Sequence, residues 1–275
     1  MVTVLLACDT NPRYLCFWNY VHKFWVDYIN VSCKMILIAN EIPEYLNHKE
    51  DIILFKPVNN LPTPFQAQCI RLLYPCLMSG IISINDMDVL PLQKGLFDKT
   101  LKELCDDKEK FIIFSSGVSV TKTGQKNVTM GFSSAYQETW HKIFGINNME
   151  DIRVRLIEWY DGIKNQDKLN VWHCDQINYY QNLNKYGFDK IIFTGQWHDN
   201  NRILRYRKHK EKENHFENLI KNVKNGDYTL YNEIKNGKYL SLDLPAGYFG
   251  SWTNEQQLNI LKKLNIFLFS KLFKI

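Results

Sequence analysis

Ile81-Ile82-Ser83-Ile84-Asn85-Asp86-Met87-Asp88-Val89-Leu90-Pro91 sets the reading of the whole chain. A short apolar run, opened by Gly80, ends in Asn-Asp-Met-Asp. Four to eight apolar residues after a turn signal suit a parallel strand covered on both faces. Two carboxylates then leave the strand's C-terminal end, which is where open α/β sheets bind ligands. Unpaired carboxylates are costly to desolvate beside a buried strand. A hard divalent cation resolves the conflict, since Mg²⁺-type sites use one or two carboxylates together with substrate phosphates. An isolated D-x-D turns up by chance about once in a chain of this composition, and its bland meaning is a solvated turn. The surrounding sequence has to decide.

Working outward on the N-terminal side, Val2 to Cys8 is a near-continuous apolar run and predicts the first buried strand. Asp9-Thr10-Asn11-Pro12 follows as a turn and helix-start cluster. Tyr14 to Tyr28 carries Phe17, Val21, Phe24, Trp25 and Tyr28 at helical spacing, Lys34 to Ala39 predicts a second strand and Asp51 to Val58 a third. This β-α-β-β order implies a Rossmann-like mononucleotide half. Phe65 to Leu77 predicts a helix that Pro75 ends or kinks. On the C-terminal side, Leu96 to Leu104 predicts a short helix, Phe111 to Ser115 a strand, and Ser116 to Asn127 a turn-rich loop. Glu138 to Phe144, Ile152 to Tyr160 and a segment from Asp175 to about Tyr186 are helical, and Lys190 to Phe193 is a last core strand.

The 275 residues, 45% of them hydrophobic and 14% aromatic, suffice for one large α/β domain and argue against disorder. A net charge of +5 suits anionic ligands such as nucleotide diphosphates, or a membrane surface, and does not call for nucleic acid. The seven cysteines are scattered, odd in number and without a C-x-x-C, which predicts free thiols in a reducing, cytoplasmic compartment. No signal peptide is expected, and no apolar run approaches the ~20 residues of a spanning helix. After Gln196 the composition turns basic. Residues 254–275 place Leu258, Leu261, Leu264, Phe267, Leu268 and Leu272 near one helical face ringed by Lys262, Lys263, Lys271 and Lys274. That pattern suits peripheral membrane contact, or a helix packed back on the core.

Several side chains carry the chemistry. Asp9, at the end of the first strand, can accept from a base or ribose, or can cap the following helix. Arg71 stands among Ile70, Leu72 and Leu73; an Arg there is seldom buried unpaired, and its planar fork suits phosphate oxygens or a structural ion pair. Asp175-Gln176 opens a helix, where a carboxylate is favoured electrostatically, as an N-cap or as an acid/base or cation-stabilising pair. His198, just past the last core strand, is structural or a further metal ligand; His173 and His215 are weaker candidates. G-x-G-x-x-G and Walker A sequences are both missing, which removes the main support for dinucleotide binding and P-loop phosphoryl transfer.

The ordered set Arg71-Leu72-Leu73, Gly80 to Leu92 with Asp86-Met87-Asp88, Met130-Gly131-Phe132, Asp175-Gln176-Ile177-Asn178 and a late His198 resembles nucleotide-sugar-dependent glycosyltransferases of the GT-A fold. It is similar to the glycogenin-like and lipopolysaccharide galactosyltransferase-like branch, and to short GT-A domains of large DNA viruses and bacterial surface-glycan clusters. The resemblance implies a single α/β, GT-A-type Rossmann-like domain. Its central sheet would be mixed and mostly parallel, flanked by helices, with a C-terminal helical extension. Residues 1–205 would form the core, with the nucleotide-binding half at about 1–92 and the acceptor half at about 93–205; 206–275 would be a basic extension packed on it.

The implied activity is that of a metal-dependent hexosyltransferase moving sugar from a nucleoside-diphosphate sugar, UDP-sugar first, to a hydroxyl of a glycan, glycolipid or glycoprotein. Asp86, Asp88 and His198 would hold Mn²⁺ or Mg²⁺. Ala7, Cys8, Asp9 and Arg13 would line the nucleoside pocket, and Arg71 would contact diphosphate or donor sugar. Asn85, Asp86 and Gly131 would border the donor, and Asp175 and Gln176 would face the anomeric carbon. With inversion Asp175 is the base; with retention Asp175 and Gln176 stabilise the cationic face. Acceptor contacts are expected in Lys122 to Tyr136 and after Trp197, where loops vary most. Two other classes are a nucleotidyltransferase making nucleotide sugars, which normally has a Gly-rich loop where Asp9-Thr10-Asn11-Pro12 stands, and a non-catalytic membrane-surface protein acting through the tail.

Overall fold

The structure is a computed structural model that describes residues 2–93, 95–166, 171–196, 202–203, 218, 221–222, 225–236, 238–239 and 241–243. The fold class is the expected one. Apolar runs form β1 (Val2–Asp9), β2 (Ser32–Ile38) and β3 (Ile52–Phe55), paired in parallel, and β4 (Ile81–Ile84) lies parallel to β1 on its other side. β6 (Phe111–Ile113) and β10 (Ile191–Phe193) extend the same sheet, whose order is β10-β6-β9-β4-β1-β2-β3. β9 (Ser133–Tyr136) is the antiparallel member, wedged between β4 and β6. The strand order reverses between β1 and β4, so a crevice is expected beyond their carboxyl ends. One face of the sheet buries Leu6, Trp18, Trp25, Leu37, Phe114 and Phe132. The other buries Leu5, Phe65, Ile70, Ile84, Trp140 and Tyr179. The inner strands β1, β4 and β6 therefore read as continuous apolar runs, with both faces covered.

Local detail departs from the sequence expectations in several places. The helix expected over Tyr14 to Tyr28 is instead two α segments, Pro12–Leu15 and Trp18–Lys23, and a π-helical turn, Phe24–Ile29, closed by Asn30 in the left-handed region. The helix Thr63–Leu73 gives way to a 3₁₀ turn, Tyr74–Leu77, at Pro75, as proline's missing N–H requires. The Ser116 to Asn127 loop is a hairpin, β7 (Val118–Val120) against β8 (Lys126–Val128), with Gly124 at φ 82 in its tip.

The stretch after the D-x-D is also a strand, β5 (Val89–Pro91). It pairs antiparallel with β12 (Ser241–Asp243), which pairs in turn with β11 (Arg202–Ile203). The C-terminal extension is thus not wholly helical: besides the helix Thr229–Lys235 it contains a strand beside the candidate site. Leu242 and Ile234 join the core cluster that holds Met87, Val89 and Leu90, and Gln93 Nε2 donates to the Tyr239 carbonyl (3.3 Å). This segment braces the loop carrying Asp86 and Asp88 from behind.

All seven cysteines are free, and Cys8, Cys33, Cys69, Cys76 and Cys174 are buried. Among the described residues no helix is long and apolar enough to cross a membrane. Residues 254–275 lie outside those described.

Candidate active site

β1 delivers Asp9 to the carboxyl edge of the sheet, 8% exposed. Its Oδ1 accepts from the Asn11 backbone N–H (3.1 Å), and its Oδ2 accepts from Thr63 Oγ1 (2.9 Å) at the start of the next long helix. Asn11, not Asp9, caps the helical segment by accepting from the Arg13 N–H (3.1 Å). Asp9 therefore ties β1 to the helix Thr63–Leu73. Thr63 lies before the helix expected from Phe65; a hydroxyl at a helix start is the signal that could have marked it. Cys8 is buried next to Asp9, and burial, then Asp9 and Cys16, and to a lesser degree Asp88, push its thiol well above the ordinary value. The loop that carries Asp88 leaves β4 beside this strand, since Leu5 pairs with Ile84 and its carbonyl accepts from the Asn85 N–H. Ala7 and Arg13 flank the same end, both half-buried.

Arg71 is the hub. It leaves the C-terminal half of the helix Thr63–Leu73 with its side chain only 12% exposed. Nε donates to the Gln68 carbonyl (3.3 Å) and Nη1 to the Asn85 carbonyl (3.2 Å). Nη1 also pairs with Asp86 Oδ1, and Nη2 with Asp175 Oδ2 (3.4 Å). Burial works against the guanidinium's charge, but Asp86 and Asp175 together outweigh it and hold its pKa above the ordinary value. One buried cation thus joins the loop after β4 to a helix that starts about ninety residues later.

Asp175 sits in the first turn of the helix Cys174–Tyr186, 3% exposed. Its Oδ1 accepts from the Gln176 backbone N–H (2.8 Å). Burial raises its pKa to about 6, against the pull of Arg71 and the Gln176 N–H; the nearby charge of Asp86 adds to the rise. Gln176 is half-buried beside it. Asn85 is anchored by its N–H to the Leu5 carbonyl (3.2 Å) and its Nδ2 to the Val89 carbonyl (3.4 Å). Its Oδ1 is buried and has no hydrogen-bond partner among the described residues. Such an acceptor is costly to leave unmet, and marks a place where a ligand's donor fits. Gly131 enters β9, whose first residue, Ser133, sits opposite Ile84 of β4 and Ile113 of β6, so Gly131 shares their carboxyl edge; Phe132 beyond it holds φ 50.

Asp9, Arg71, Asn85, Asp86, Asp88 and Asp175 are therefore gathered on one edge of the sheet. Two of the carboxylates, Asp86 and Asp175, meet at the Arg71 guanidinium. An ionised carboxylate accepts about four hydrogen bonds, so Asp86 keeps coordinating capacity after pairing with Arg71. Asp86 and Asp88 are both only partly buried and offer oxygen alone, the donor set of a hard cation. Among the described residues no group of three His, Cys, Asp or Glu is close enough to complete a metal site by itself. His198 and His215 lie outside the described residues. Two carboxylates plus ligand phosphates remain a fitting set.

The excess charge on Asp175 has a measurable consequence. Its folded-state pKa is raised, so its contribution to stability is present below about 3.8 and is lost as pH rises through about 6. Asp175→Asn is expected to be more stable than the parent at pH 8, by about 1–3 kcal/mol, with the gain vanishing near pH 4. Thermal melts at the two pH values check this. A variant less stable at pH 8 would show that the carboxylate is a net stabiliser.

No family model matches the sequence, and no curated protein matches it. Solved structures do. The galactosyltransferase LgtC, solved with donor and acceptor sugar analogs, matches with a TM-score of 0.42 at 11% identity, over 95% of this chain and 95% of its own. The glycosyltransferase GlyE of Streptococcus pneumoniae TIGR4 matches at 0.47 and 16% identity, over 98% of this chain and 63% of GlyE. A glycosyltransferase involved in the glycosylation of the major capsid of PBCV-1 matches at 0.43 and 8% identity, over 95% of this chain and 98% of that one. In structure the chain is similar to GT-A glycosyltransferases. The roles argued for its residues rest on their own geometry.

Proposed function

We propose that the chain is a metal-dependent glycosyltransferase that moves a hexose from a nucleoside-diphosphate sugar, with UDP-sugar the expected donor, to a hydroxyl of a glycan, glycolipid or glycoprotein. The observation that carries this reading is the Arg71 bridge between Asp86 and Asp175, set at the carboxyl edge of the sheet beside Asp9 and the unmet Asn85 Oδ1. Sugar, diphosphate and nucleoside would each meet a group along that edge. Asp9, with Ala7, Cys8 and Arg13, would face the nucleoside. Asp86 and Asp88, with His198, would hold Mn²⁺ or Mg²⁺, which when bound supplies Lewis-acid stabilisation of the departing diphosphate. Asn85 Oδ1 would accept from a donor-sugar hydroxyl, with Gly131 bordering it.

Asp175 and Gln176 would face the anomeric carbon. Both Asp175 oxygens are engaged and the side chain is buried, which suits a fixed negative charge better than a base that must reach an acceptor hydroxyl. That favours stabilisation of an oxocarbenium-like transition state, the retaining alternative. Arg71 would position both carboxylates. Because Asp175 must be ionised for this role, activity is expected to fall as pH drops below about 6.

A thermal-shift screen of nucleotide sugars with and without Mn²⁺ tests the reading. A ligand binding only the folded state stabilises it by mass action, by about 2.7 kcal/mol at a hundredfold excess over Kd, and so raises the melting midpoint. A shift with one nucleotide sugar that needs Mn²⁺ supports it. No shift with any of them, with or without metal, overturns it. Release of pyrophosphate from a nucleoside triphosphate and sugar phosphate would favour the nucleotidyltransferase instead.

A further inference from the structure

β3 ends the seven-stranded sheet, and among the described residues no strand pairs with its outer edge. The Phe55 carbonyl accepts from the Ala39 N–H on the β2 side (3.1 Å). Backbone groups alternate in direction along a strand, so those of Ile52, Leu54 and Lys56 turn outward. The Lys56 carbonyl confirms the direction by accepting from Arg153 Nη1 (3.3 Å) of the helix Met149–Asp161, and the Ile52 N–H turns back to the Lys49 carbonyl. The Leu54 N–H and C=O and the Ile52 C=O thus face out, beside an exposed Leu54 side chain. An edge of this kind is a template for another strand.

Charge picks the partner. Glu50, its side chain 75% exposed with His48 Nδ1 3.9 Å away, and the exposed Lys56 stand three residues either side of Ile53. The backbone before β3 is fixed, because the Asp51 carboxylate is held by His22 Nε2 (2.9 Å) and Lys34 Nζ (3.3 Å). In an antiparallel pairing of β3 with a second β3, centred on Ile53, Leu54 meets Ile52 and Glu50 meets Lys56, each twice. Centring one residue earlier sets Leu54 against Glu50 and Lys56 against His48. Centring one residue later sets Ile52 against Lys56. Centring between residues sets outward backbone groups against inward ones. Of these registers, the one about Ile53 alone matches apolar with apolar and acid with base.

We infer that β3 is the seam of a symmetric dimer, in which two copies of this chain join their sheets edge to edge, antiparallel about Ile53. The same patch serves both copies, as a two-fold axis requires. Exposed Val154 and Ile157, one turn apart on the helix that Arg153 ties to this edge, extend the contact on one face. The inference is independent of the nucleotide-sugar reading.

Sedimentation velocity of the full chain, from micromolar to millimolar concentration, tests it. The parent is expected to dimerise reversibly. Lys56→Glu and Glu50→Lys each set like charges opposite one another twice, and each is expected to weaken the dimer at least about tenfold. The double variant Glu50→Lys with Lys56→Glu restores both pairs and should recover most of the affinity, whereas Leu54→Lys should abolish the dimer. Circular dichroism of each variant checks that the fold is intact. A chain monomeric throughout overturns the seam. So does a dimer indifferent to Leu54→Lys and to the single charge changes, which would lie on another surface, or a double variant as weak as the singles, which would void the register. A monomer whose Leu54 amide resists hydrogen exchange would also overturn it, by placing another segment of the chain on the edge.

Discussion

Asp88→Asn is expected to remove metal-dependent release of nucleoside diphosphate from the donor sugar, by about a thousandfold or more, while the protein melts within a few degrees of the parent. The substitution keeps the side chain's volume and one acceptor oxygen, and takes away its charge. Asp86 already commits one oxygen to Arg71, so the cation site depends on the second carboxylate for charge. Lewis-acid stabilisation of a leaving diphosphate amounts to several kcal/mol, and each 1.36 kcal/mol of barrier is tenfold in rate. A loss of about 4 kcal/mol therefore gives the predicted thousandfold. Asp88 is only partly buried and asparagine keeps its shape, so the fold is expected to survive the change. The measurement is nucleoside diphosphate release from the donor found by thermal shift, across a Mn²⁺ titration. Full activity in the variant would remove the metal site from the proposed mechanism.

Legibility in the sequence followed the physics of burial. β1, β2, β4 and β6 are apolar runs covered on both faces, β10 is a short apolar run at the sheet's edge, and such runs announce themselves. β9 did not, because it is Ser133-Ser134-Ala135-Tyr136. Its buried hydroxyls are satisfied within the sheet, Ser134 Oγ donating to Ser83 Oγ (2.9 Å) and Ser133 Oγ to the Met130 carbonyl (3.1 Å). A reading that looks for apolar residues cannot see a strand buried through paired polar ones. The hairpin over Val118–Val128 was hidden differently: its first strand is solvent-exposed throughout and its tip is dense in turn residues. β5 and β12 are three-residue strands whose pairing joins Val89 to Asp243, a contact with no local signature.

The site divides the same way. Asp9 and Asp86-Met87-Asp88 are visible because charge at the end of an apolar run is conspicuous. Arg71 is conspicuous for standing among Ile70, Leu72 and Leu73. That it reaches Asp175 across the fold, and that Thr63 steadies Asp9, are tertiary facts that no spacing in the chain encodes.

That tertiary bridge sets the second large effect. Arg71→Met is expected to destabilise the fold by about 3–5 kcal/mol, the cost typical of removing one partner from a buried charge pair. At about 2–4 °C per kcal/mol for a chain of this size, the midpoint should fall by about 6–20 °C at pH 8. The loss comes from what is left behind: Asp175, 3% exposed, and its neighbour Asp86 would face each other without a cation between them. Acid should soften the effect, because Arg71 is what lowers the Asp175 pKa. Without Arg71 that carboxyl takes up its proton at a higher pH, and the deficit narrows toward pH 5. The double variant Arg71→Met with Asp175→Asn should recover at least about 1 kcal/mol over the sum of the singles, since the charge whose burial causes the damage is gone. A double-mutant cycle in thermal melts at pH 8 and pH 5 measures the coupling. Additive singles with no pH dependence would mean that Arg71 and Asp175 are neighbours without being partners, and the positioning role given to Arg71 would fall with that result.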